Sequence, residues 1–123
     1  MSTTLDLLAV GTYLSLTTFR SDGTPVATPV WLVRVGETLL VITGTESGKA
    51  KRLRADSHAL VAPCDMRGNL TGEAMPATAE LLGPEETAHA ASEITRRYGL
   101  LGRLFVWRSR RSPRVGIRVR LAP

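Results

Sequence analysis

Apolar and polar residues alternate along several short stretches of the chain, and this period of two predicts β-strands. The alternation is clearest at 114–121, where valine, isoleucine and leucine take turns with arginine and glycine. Residues 39–43 are nearly all apolar and are predicted as a short strand. The full set of predicted strands is 12–19, 26–35, 39–43, 59–64, 74–82, 105–108 and 115–121.

Two helices interrupt these strands. The first is predicted at 47–54, with Thr45 or Ser47 able to cap it. The second opens with proline and two acids at 84–86, which the helix dipole favours there, and ends at Gly99. The resulting order β-β-β-α-β-β-α-β-β contains mostly hairpins and no alternating βαβ series. We therefore predict a mainly β fold, an antiparallel β-barrel with two helices, and not a doubly wound sheet.

Turn residues and one proline refine this prediction. Asp22-Gly23 supplies the positive-φ position that a hairpin requires, and Gly36-Glu37 makes the next turn. Pro29 removes one donor from its ladder, so the second strand is expected at an edge of the sheet or kinked.

The length and composition fit one soluble domain spanning residues 1–123. No apolar run reaches the ~20 residues of a membrane span, and residues 1–10 lack the basic start of a secretory signal. Because Cys64 is the single cysteine, no internal disulfide can form, and a reducing cytoplasm is the expected location.

Positive charge is concentrated in two places. The net charge is +5, and residues 96–120 hold nine arginines and no acid. A second cluster lies at 49–54. Such fields attract polyanions, which include nucleic acids, phosphorylated cofactors and polycarboxylates. A nucleic-acid partner is not expected, because the aromatic and glycine pattern of an RNA-binding sheet is absent.

The turn at 44–52 joins the third strand to the first helix and is a candidate phosphate site. A helix N-terminus favours phosphate, two glycines allow close approach, and Ser47 adds a hydroxyl donor. Four cations follow within six residues: Lys49, Lys51, Arg52 and Arg54. The turn is not a nucleoside triphosphate loop, since only three residues separate its glycines and Ala50 follows Lys49. A capped surface helix with a solvated basic face is the alternative.

Longer strings surround this turn: YLSLTTF at 13–19, DGTPVATPVW at 22–31 and TGTESGKAKRLR at 43–54. Their order and spacing resemble the pyridoxamine 5′-phosphate oxidase-like flavoproteins. Within that family the chain is similar to the actinobacterial branch that uses the deazaflavin coenzyme F420, and residues 61–68 and 97–104 are also similar to that branch. The resemblance extends from about residue 10 to residue 121.

The resemblance implies a split β-barrel that forms a homodimer, with two cofactor sites at the subunit interface. The deazaflavin ring would lie along Thr28, Pro29, Val30 and Trp31, mainly against their backbone. The phosphate would be held by Thr43, Ser47, Gly48, Lys49, Lys51 and Arg52. The loop at Ala62, Pro63, Cys64 and Asp65 would approach the ring. The sequence shows no obvious second aromatic residue near the turn to cover the ring.

The implied activity is an F420-dependent oxidoreductase that transfers a hydride from the reduced deazaflavin to a conjugated small molecule. The cofactor carries this chemistry, so no residue is assigned a catalytic role. Asp65 and Tyr98 are weak candidates for a proton donor, and solvent is the alternative. Two other functions stay open: an FMN-dependent oxidase or reductase on the same fold, and a non-catalytic F420-binding or storage protein.

Other candidate groups have structural explanations. A dyad of Cys64 with His58 is not expected, because both would lie on one strand about 20 Å apart. Cys64 is interpreted as a buried, inert thiol near the cofactor. One cysteine and two separated histidines form no metal site. Trp31 is expected either to line the site, stacked on the cofactor ring, or to pack at the interface between two subunits.

The last quarter of the chain holds two further candidates. Trp107 is expected in the barrel core or at an interface. The basic run at 108–111 is interpreted as a solvated hairpin, or as a field that attracts the anionic tail of the deazaflavin cofactor.

Overall fold

The computed structural model describes residues 8–9, 11, 13–109 and 113–122, and it describes side chains throughout these ranges except at 102 and 105–109. In this part of the chain the strands are β1 (Tyr13–Phe19), β2 (Pro25–Trp31), β3 (Val33–Val35), β4 (Thr38–Gly44), β5 (His58–Cys64), β6 (Met75–Leu81) and β7 (Arg114–Leu121). Helix α1 (Gly48–Ala55) follows β4, and helix α2 (Pro84–Ser109) follows β6.

The strands form one antiparallel sheet in the order β2-β1-β5-β6-β7-β4-β3. Its two edge strands, β2 and β3, are consecutive in the chain and are separated only by Leu32. The sheet therefore curls until its edges approach each other, as a half-barrel. The mainly β antiparallel barrel with two helices is confirmed, and Pro29 lies on an edge strand as its missing N–H predicts.

Two apolar layers hold the sheet, one on each face. The barrel interior contains, among others, Leu14, Leu16, Leu39, Val41, Val61, Ile117 and Val119. The outer face packs against α2 through Val33, Leu40, Ile42, Leu82, Ala90, Ala91 and Ile94. Strand β4 contributes to both layers, because Leu39 and Val41 point inward while Leu40 and Ile42 point toward α2. This burial on both faces explains why the strand is nearly continuously apolar.

Helix α2 lies close to β7 at Gly116. A Cβ atom on Gly116 would lie 3.1 Å from Leu82 Cδ1 and 3.3 Å from Thr87 Cα. The Gly116 N–H donates to Thr87 Oγ1 at 2.9 Å, and the Leu82 N–H donates to the Gly116 carbonyl at 2.9 Å. The absence of a side chain at Gly116 thus lets the helix start pack directly on the strand backbone.

The single strand predicted at 26–35 is wrong, because the chain changes sheet edges at Leu32. This residue is fully buried and belongs to neither strand. Its peptide groups bond to α2 instead of to a ladder: the Tyr98 hydroxyl and Arg97 Nη1 both donate to its carbonyl, at 2.8 and 2.6 Å. Arg97 Nη2 also donates to the carbonyls of Ala9 and Gly11, at 2.7 and 2.6 Å. Arg97 therefore ties the edges of the barrel to the segment before β1.

The strand predicted at 105–108 is also wrong, because these residues are helical. Gly99 has φ 62° and ψ −131°, so it interrupts the helix where the sequence predicts an end. A second helical segment then continues α2 to Ser109. A short apolar run such as 104–107 fits a strand and a buried or interfacial helix equally well, which explains the error.

Candidate functional site

A cavity of about 470 Å³ lies where the ends of several strands meet the turn before α1. Its lining comprises Tyr13, Pro29, Val30, Trp31, Ile42, Thr43, Gly44, Lys49, Pro113 and Arg114. The volume falls in the usual range for small-molecule and cofactor sites. The wall is apolar and aromatic on the side of β1 and β2, and basic beside α1 and the start of β7.

Two aromatic residues form the apolar side. Tyr13 and Trp31 occupy paired positions on β1 and β2, so the strand register brings them into one wall. The Trp31 ring stacks on Tyr98 of α2 with centroids 4.4 Å apart and planes 12° apart. Tyr13 thus corrects the expectation that no second aromatic residue is available near the turn.

Ser47 organises the turn itself. It is the N-cap of α1, where its Oγ accepts from the Ala50 N–H at 3.2 Å, as predicted for a capping residue. Thr43 Oγ1 donates to the same oxygen at 3.1 Å. The Thr45 N–H donates to the Pro113 carbonyl at 2.9 Å, which joins the turn to the segment entering β7. The backbone beside the cavity is therefore held from both sides.

Lys49 is the cation of α1 that reaches the cavity. Burial lowers the pKa of its ammonium group below the ordinary value, and the positive charge of Arg52 lowers it further. Arg52 Nε donates to Thr18 Oγ1 at 2.6 Å. Its guanidinium group also lies against Gly48, where a Cβ atom would come within 2.7 Å of Nη1.

The other two cations of α1 point elsewhere. Arg54 Nη2 donates to the Thr45 carbonyl at 2.7 Å, and this bond stabilises the turn. Lys51 Nζ lies 3.9 Å from Glu46 Oε2, and both side chains are exposed. The four cations of the predicted phosphate site therefore differ in role, and Lys49 alone among them lines the cavity.

The loop after β5 lies close to the cavity without lining it. Cys64, the last residue of β5, pairs with Tyr13, which pairs with Trp31 in turn, so Cys64 lies on the strand next to Tyr13 and two strands away from Trp31. In the same loop Gly68 has φ 89°, and a Cβ atom on it would lie 3.7 Å from Pro29 Cδ. The loop thus touches β2 at a residue of the cavity wall.

The candidate proton donors are both engaged in local structure. Asp65 Oδ1 accepts from the N–H groups of Arg67 and Asn69, each at 2.9 Å, and these bonds, Asn69 first, lower the pKa of its carboxyl group. The Tyr98 hydroxyl bonds to the Leu32 peptide, and burial raises the pKa of this phenol. Asp65 is therefore an anion that stabilises its own loop. Tyr98 stays protonated at neutral pH and bonds to Leu32, the residue between β2 and β3.

The structure brings part of the predicted site together. Five predicted residues line the cavity: Pro29, Val30, Trp31, Thr43 and Lys49. The other nine lie on the same strands, turn and loop but outside that lining: Thr28, Ser47, Gly48, Lys51, Arg52, Ala62, Pro63, Cys64 and Asp65. Gly44, which also lines the cavity, belongs to the candidate turn at 44–52, and sequence reasoning missed the other four lining residues: Tyr13, Ile42, Pro113 and Arg114. Tyr13 and Ile42 stand in or beside the strings that carry the family resemblance, whereas Pro113 and Arg114 reach the site only through the pairing of β7 with β4.

The structure also locates other residues that the sequence singled out. Cys64 is buried, and burial together with the charge of Asp65 raises the pKa of its thiol. His58 starts the strand that Cys64 ends, which agrees with the rejection of a dyad. The side chains of Trp107 and Arg108, and residues 110–111 entirely, lie outside the described part of the chain.

Within the described ranges no group of three or more His, Cys, Asp or Glu residues is placed to hold a metal ion. The described helices also include none with the length and apolar character needed to cross a bilayer. Among the described residues that line the cavity there is no His, Cys, Asp or Glu. It therefore suits binding of a flat, partly apolar molecule with an anionic group better than nucleophilic or metal-assisted chemistry.

Solved structures similar to this chain share its fold across nearly its whole length. A conserved hypothetical protein from Mycobacterium tuberculosis has 23% identity and a TM-score of 0.74, with 100% of this chain and 82% of that chain covered. An F420 reductase has 22% identity and a TM-score of 0.63, with coverages of 96% and 92%. The heme storage protein HutZ from Vibrio cholerae has 13% identity and a TM-score of 0.70, with coverages of 91% and 82%.

A search of curated proteins found no significant match. The identities to the solved structures are low enough that these similarities establish the fold alone. The family description "Pyridoxamine 5'-phosphate oxidase", in contrast, matches residues 5–121 of the sequence. The chain belongs to the pyridoxamine 5'-phosphate oxidase family.

Proposed function

We propose that this protein binds the deazaflavin coenzyme F420 and acts as an F420-dependent reductase of a conjugated small molecule. The observation that carries the proposal is the composition of the 470 Å³ cavity. Its aromatic wall at Tyr13 and Trp31 suits a flat tricyclic ring, and Lys49 beside the start of α1 suits a phosphate. The F420 reductase among the similar structures supports the same choice of cofactor.

The residues of the cavity divide between ring and phosphate. Pro29, Val30 and Trp31 would present the edge strand β2 to the ring, and Tyr13 would cover part of it. The phosphate would be held by Lys49 and by the N–H groups of the first turn of α1, where helix geometry leaves donors without internal acceptors. Thr43 and Ser47 would act indirectly, because their mutual hydrogen bond fixes the turn.

The bound deazaflavin would supply hydride transfer. The protein's contribution is then to orient the ring, exclude water from its apolar face and balance the charge of the phosphate. This division of labour agrees with the described part of the lining, in which no His, Cys, Asp or Glu side chain is found. Neither Asp65 nor Tyr98 lines the cavity, so the product's proton is expected to come from solvent.

The test is equilibrium binding of F420 and FMN, side by side, to the wild-type protein and to Lys49→Ala and Arg52→Ala. We expect F420 to bind more tightly than FMN. Lys49→Ala should weaken F420 binding by about tenfold or more, which corresponds to one charge-assisted hydrogen bond. Arg52→Ala should have the smaller effect, since its Nε already bonds to Thr18. If neither cofactor binds below the high micromolar range, the proposal fails.

A non-catalytic binding protein is the second candidate, and the structural similarity to a heme storage protein favours keeping it. Tight F420 binding without oxidation of the reduced cofactor across a panel of enones, quinones and tetrapyrroles would support that function over a reductase. Preference for FMN, with a yellow purified protein, would support the FMN-dependent alternative.

We also propose a homodimer in the cytoplasm. Three leucines after the kink of α2 provide apolar surface that a second copy could cover: Leu100 is 81% exposed, Leu101 66% and Leu104 48%. Light scattering on the purified protein should give twice the chain mass, and Leu101→Glu should lower that mass toward one chain. A single-chain mass for the wild-type protein would contradict the dimer.

A further inference from the structure

Two exposed apolar side chains lie on the loop that follows β5. Met66 is 68% exposed and Leu70 is 56% exposed. The other strongly exposed large apolar side chains of the described ranges belong to α2 beyond its kink. Single exposed apolar residues are ordinary on a protein surface, whereas neighbouring ones beside a cavity indicate a contact surface.

Hydrogen bonds hold this loop in one shape. The Asp65 N–H donates to the Asn69 carbonyl and the Gly68 N–H donates to the Asp65 carbonyl, each at 3.0 Å. The Asp65 carboxylate accepts from the N–H groups of Arg67 and Asn69, and from the Asn69 side-chain amide at 3.1 Å. The backbone that carries the two apolar side chains is thus fixed before a ligand arrives, so less conformational entropy is lost on binding.

Strand pairing connects the loop to the aromatic wall of the cavity. Leu70 forms an antiparallel bridge with Cys64, the last residue of β5. Cys64 pairs with Tyr13, and Tyr13 pairs with Trp31 of the same wall. Residues paired in this way project to the same side of a sheet, and neighbouring strands lie about 5 Å apart. Leu70 therefore lies on the side of the aromatic wall, about 10 Å from Tyr13.

The loop also meets the cavity wall at β2. A Cβ atom on Gly68 would lie 3.7 Å from Pro29 Cδ and 3.9 Å from Pro29 Cγ. Pro29 lines the cavity and belongs to the strand along which the ring of the proposed cofactor would lie. Met66 is two residues before Gly68. The loop thus borders the space in which a second flat molecule would stack on that ring.

We propose that Met66 and Leu70 form an apolar docking surface for the substrate, which selects flat, uncharged molecules over hydrophilic ones. The unbranched, polarisable side chain of Met66 adapts to conjugated rings of different shape, and Leu70 adds apolar area. This inference rests on the proposed function and makes Met66 and Leu70 specificity-determining residues of that site. They take no part in holding the phosphate or in the hydride transfer itself.

The experiment compares two substrates that differ by one apolar ring, 1,4-naphthoquinone and 1,4-benzoquinone. Each quinone takes a hydride from the reduced cofactor and a proton from solvent, and becomes its hydroquinone while the cofactor is oxidised. Steady-state rates are measured for the wild-type protein, Met66→Gln, Leu70→Asn and Met66→Leu, with the reaction without protein subtracted. Arg67→Gln is the matched control, because it changes an exposed side chain of the same loop and keeps the backbone bond to Asp65. The dissociation constant for F420 and the mass by light scattering are measured for every variant.

We expect Met66→Gln and Leu70→Asn each to lower kcat/KM for naphthoquinone by about fivefold or more, mainly through a higher KM. The same variants should lower kcat/KM for benzoquinone by less than about twofold, because it offers less apolar area to the loop. Met66→Leu should stay within about twofold of the wild type, since it keeps the apolar volume. Arg67→Gln should leave both kcat/KM values within about twofold, and F420 affinity should change by less than about twofold in every variant.

A selective loss for naphthoquinone in either polar variant upholds the docking surface. Equal losses for the two quinones would overturn it, as would unchanged kinetics in both Met66→Gln and Leu70→Asn. An equally large loss of F420 affinity would place the loop at the cofactor instead of the substrate. A fall in mass toward one chain would assign the loop to a subunit interface. Either of these two results would also overturn the proposal.

Failure of the proposed function gives a different result. If the wild-type protein does not bind F420, or binds it and reduces neither quinone, quenching of tryptophan fluorescence by the quinones becomes the measurement, since Trp31 lines the cavity. Weaker binding of naphthoquinone to Met66→Gln or Leu70→Asn, with benzoquinone and Arg67→Gln unaffected, would uphold the docking surface while the reductase activity fails. Absence of naphthoquinone binding, or equal binding to the wild type and both variants, would overturn both.

Discussion

The Tyr98 hydroxyl group accepts from the Leu32 N–H at 3.2 Å and donates to the Leu32 carbonyl at 2.8 Å. It thus makes the two hydrogen bonds that a neighbouring strand would otherwise make with Leu32. These bonds lie at the point where the chain leaves one edge of the sheet for the other. Because the Tyr98 ring also stacks on Trp31, the same residue supports the seam of the barrel and the aromatic wall of the cavity.

Tyr98→Phe should therefore destabilise the protein by about 1–3 kcal/mol, because the buried Leu32 N–H loses its partner while the ring stack on Trp31 is kept. The Leu32 carbonyl retains its bond from Arg97 at 2.6 Å, which limits the effect. Urea unfolding followed by tryptophan fluorescence measures the change. Thr95→Val removes a hydroxyl group from the same helix that bonds only within it, to the Ala91 carbonyl, and should change stability by about 0.5 kcal/mol or less. Equal losses in the two variants would contradict the role of Tyr98.

Gly116→Ala should destabilise the protein by about 1–3 kcal/mol, because the new methyl group meets backbone as well as side chains. Its Cβ would lie 3.3 Å from Thr87 Cα and 3.4 Å from Ala90 Cβ. Gly83→Ala is the control, since no atom of the described residues lies within 4 Å of a Cβ there. Thermal and urea unfolding should show little change in stability for Gly83→Ala. A Gly116→Ala variant as stable as the wild type would contradict the prediction, since it would show that α2 can move away from β7.

Binding of a phosphorylated ligand should weaken as the pH rises into the alkaline range. The pKa of Lys49 is lowered by burial and by Arg52, so Lys49 loses its charge at a lower pH than an exposed lysine. A bound anion stabilises the charged form and raises that pKa, so binding takes up protons between the two pKa values. Dissociation constants for F420 or FMN measured from about pH 7 to about pH 10 test this, since ordinary lysine titrates only near the upper end.

Lys49→Arg provides the comparison for the pH profile. An arginine keeps its charge throughout this range, so the fall in affinity should move to higher pH or disappear. Superimposable profiles for the two proteins would mean that the titration of Lys49 does not control binding.

Cys64 should react slowly with alkylating reagents in the folded protein. Its thiol is buried, and burial and the charge of Asp65 raise its pKa, so little of the reactive thiolate forms near neutral pH. Labelling by iodoacetamide, followed by mass spectrometry, should be at least about tenfold slower in buffer than in denaturant. Similar rates in both conditions would show that the thiol is accessible.

Local patterns in the sequence were enough to predict much of the fold. Gly23 and Gly36 have the positive φ values of 90° and 61° expected at their turns, and Ser47 caps α1. Hairpin order and the edge signal of Pro29 led to the antiparallel barrel. These features succeed because each depends on neighbours within a few residues, where backbone sterics and capping hydrogen bonds decide the conformation.

The sequence by itself therefore determined most of the strands, the N-cap of α1, the family and the turn that carries Lys49. Only the tertiary structure decided that β2 and β3 separate at Leu32, that α2 continues beyond Gly99, and that Arg114 joins Lys49 in one cavity. These outcomes depend on contacts between residues far apart in the chain: Tyr98 with Leu32, and Arg114 with Gly44. Such contacts are selected by burial and by strand register across the curled sheet, which no local pattern specifies.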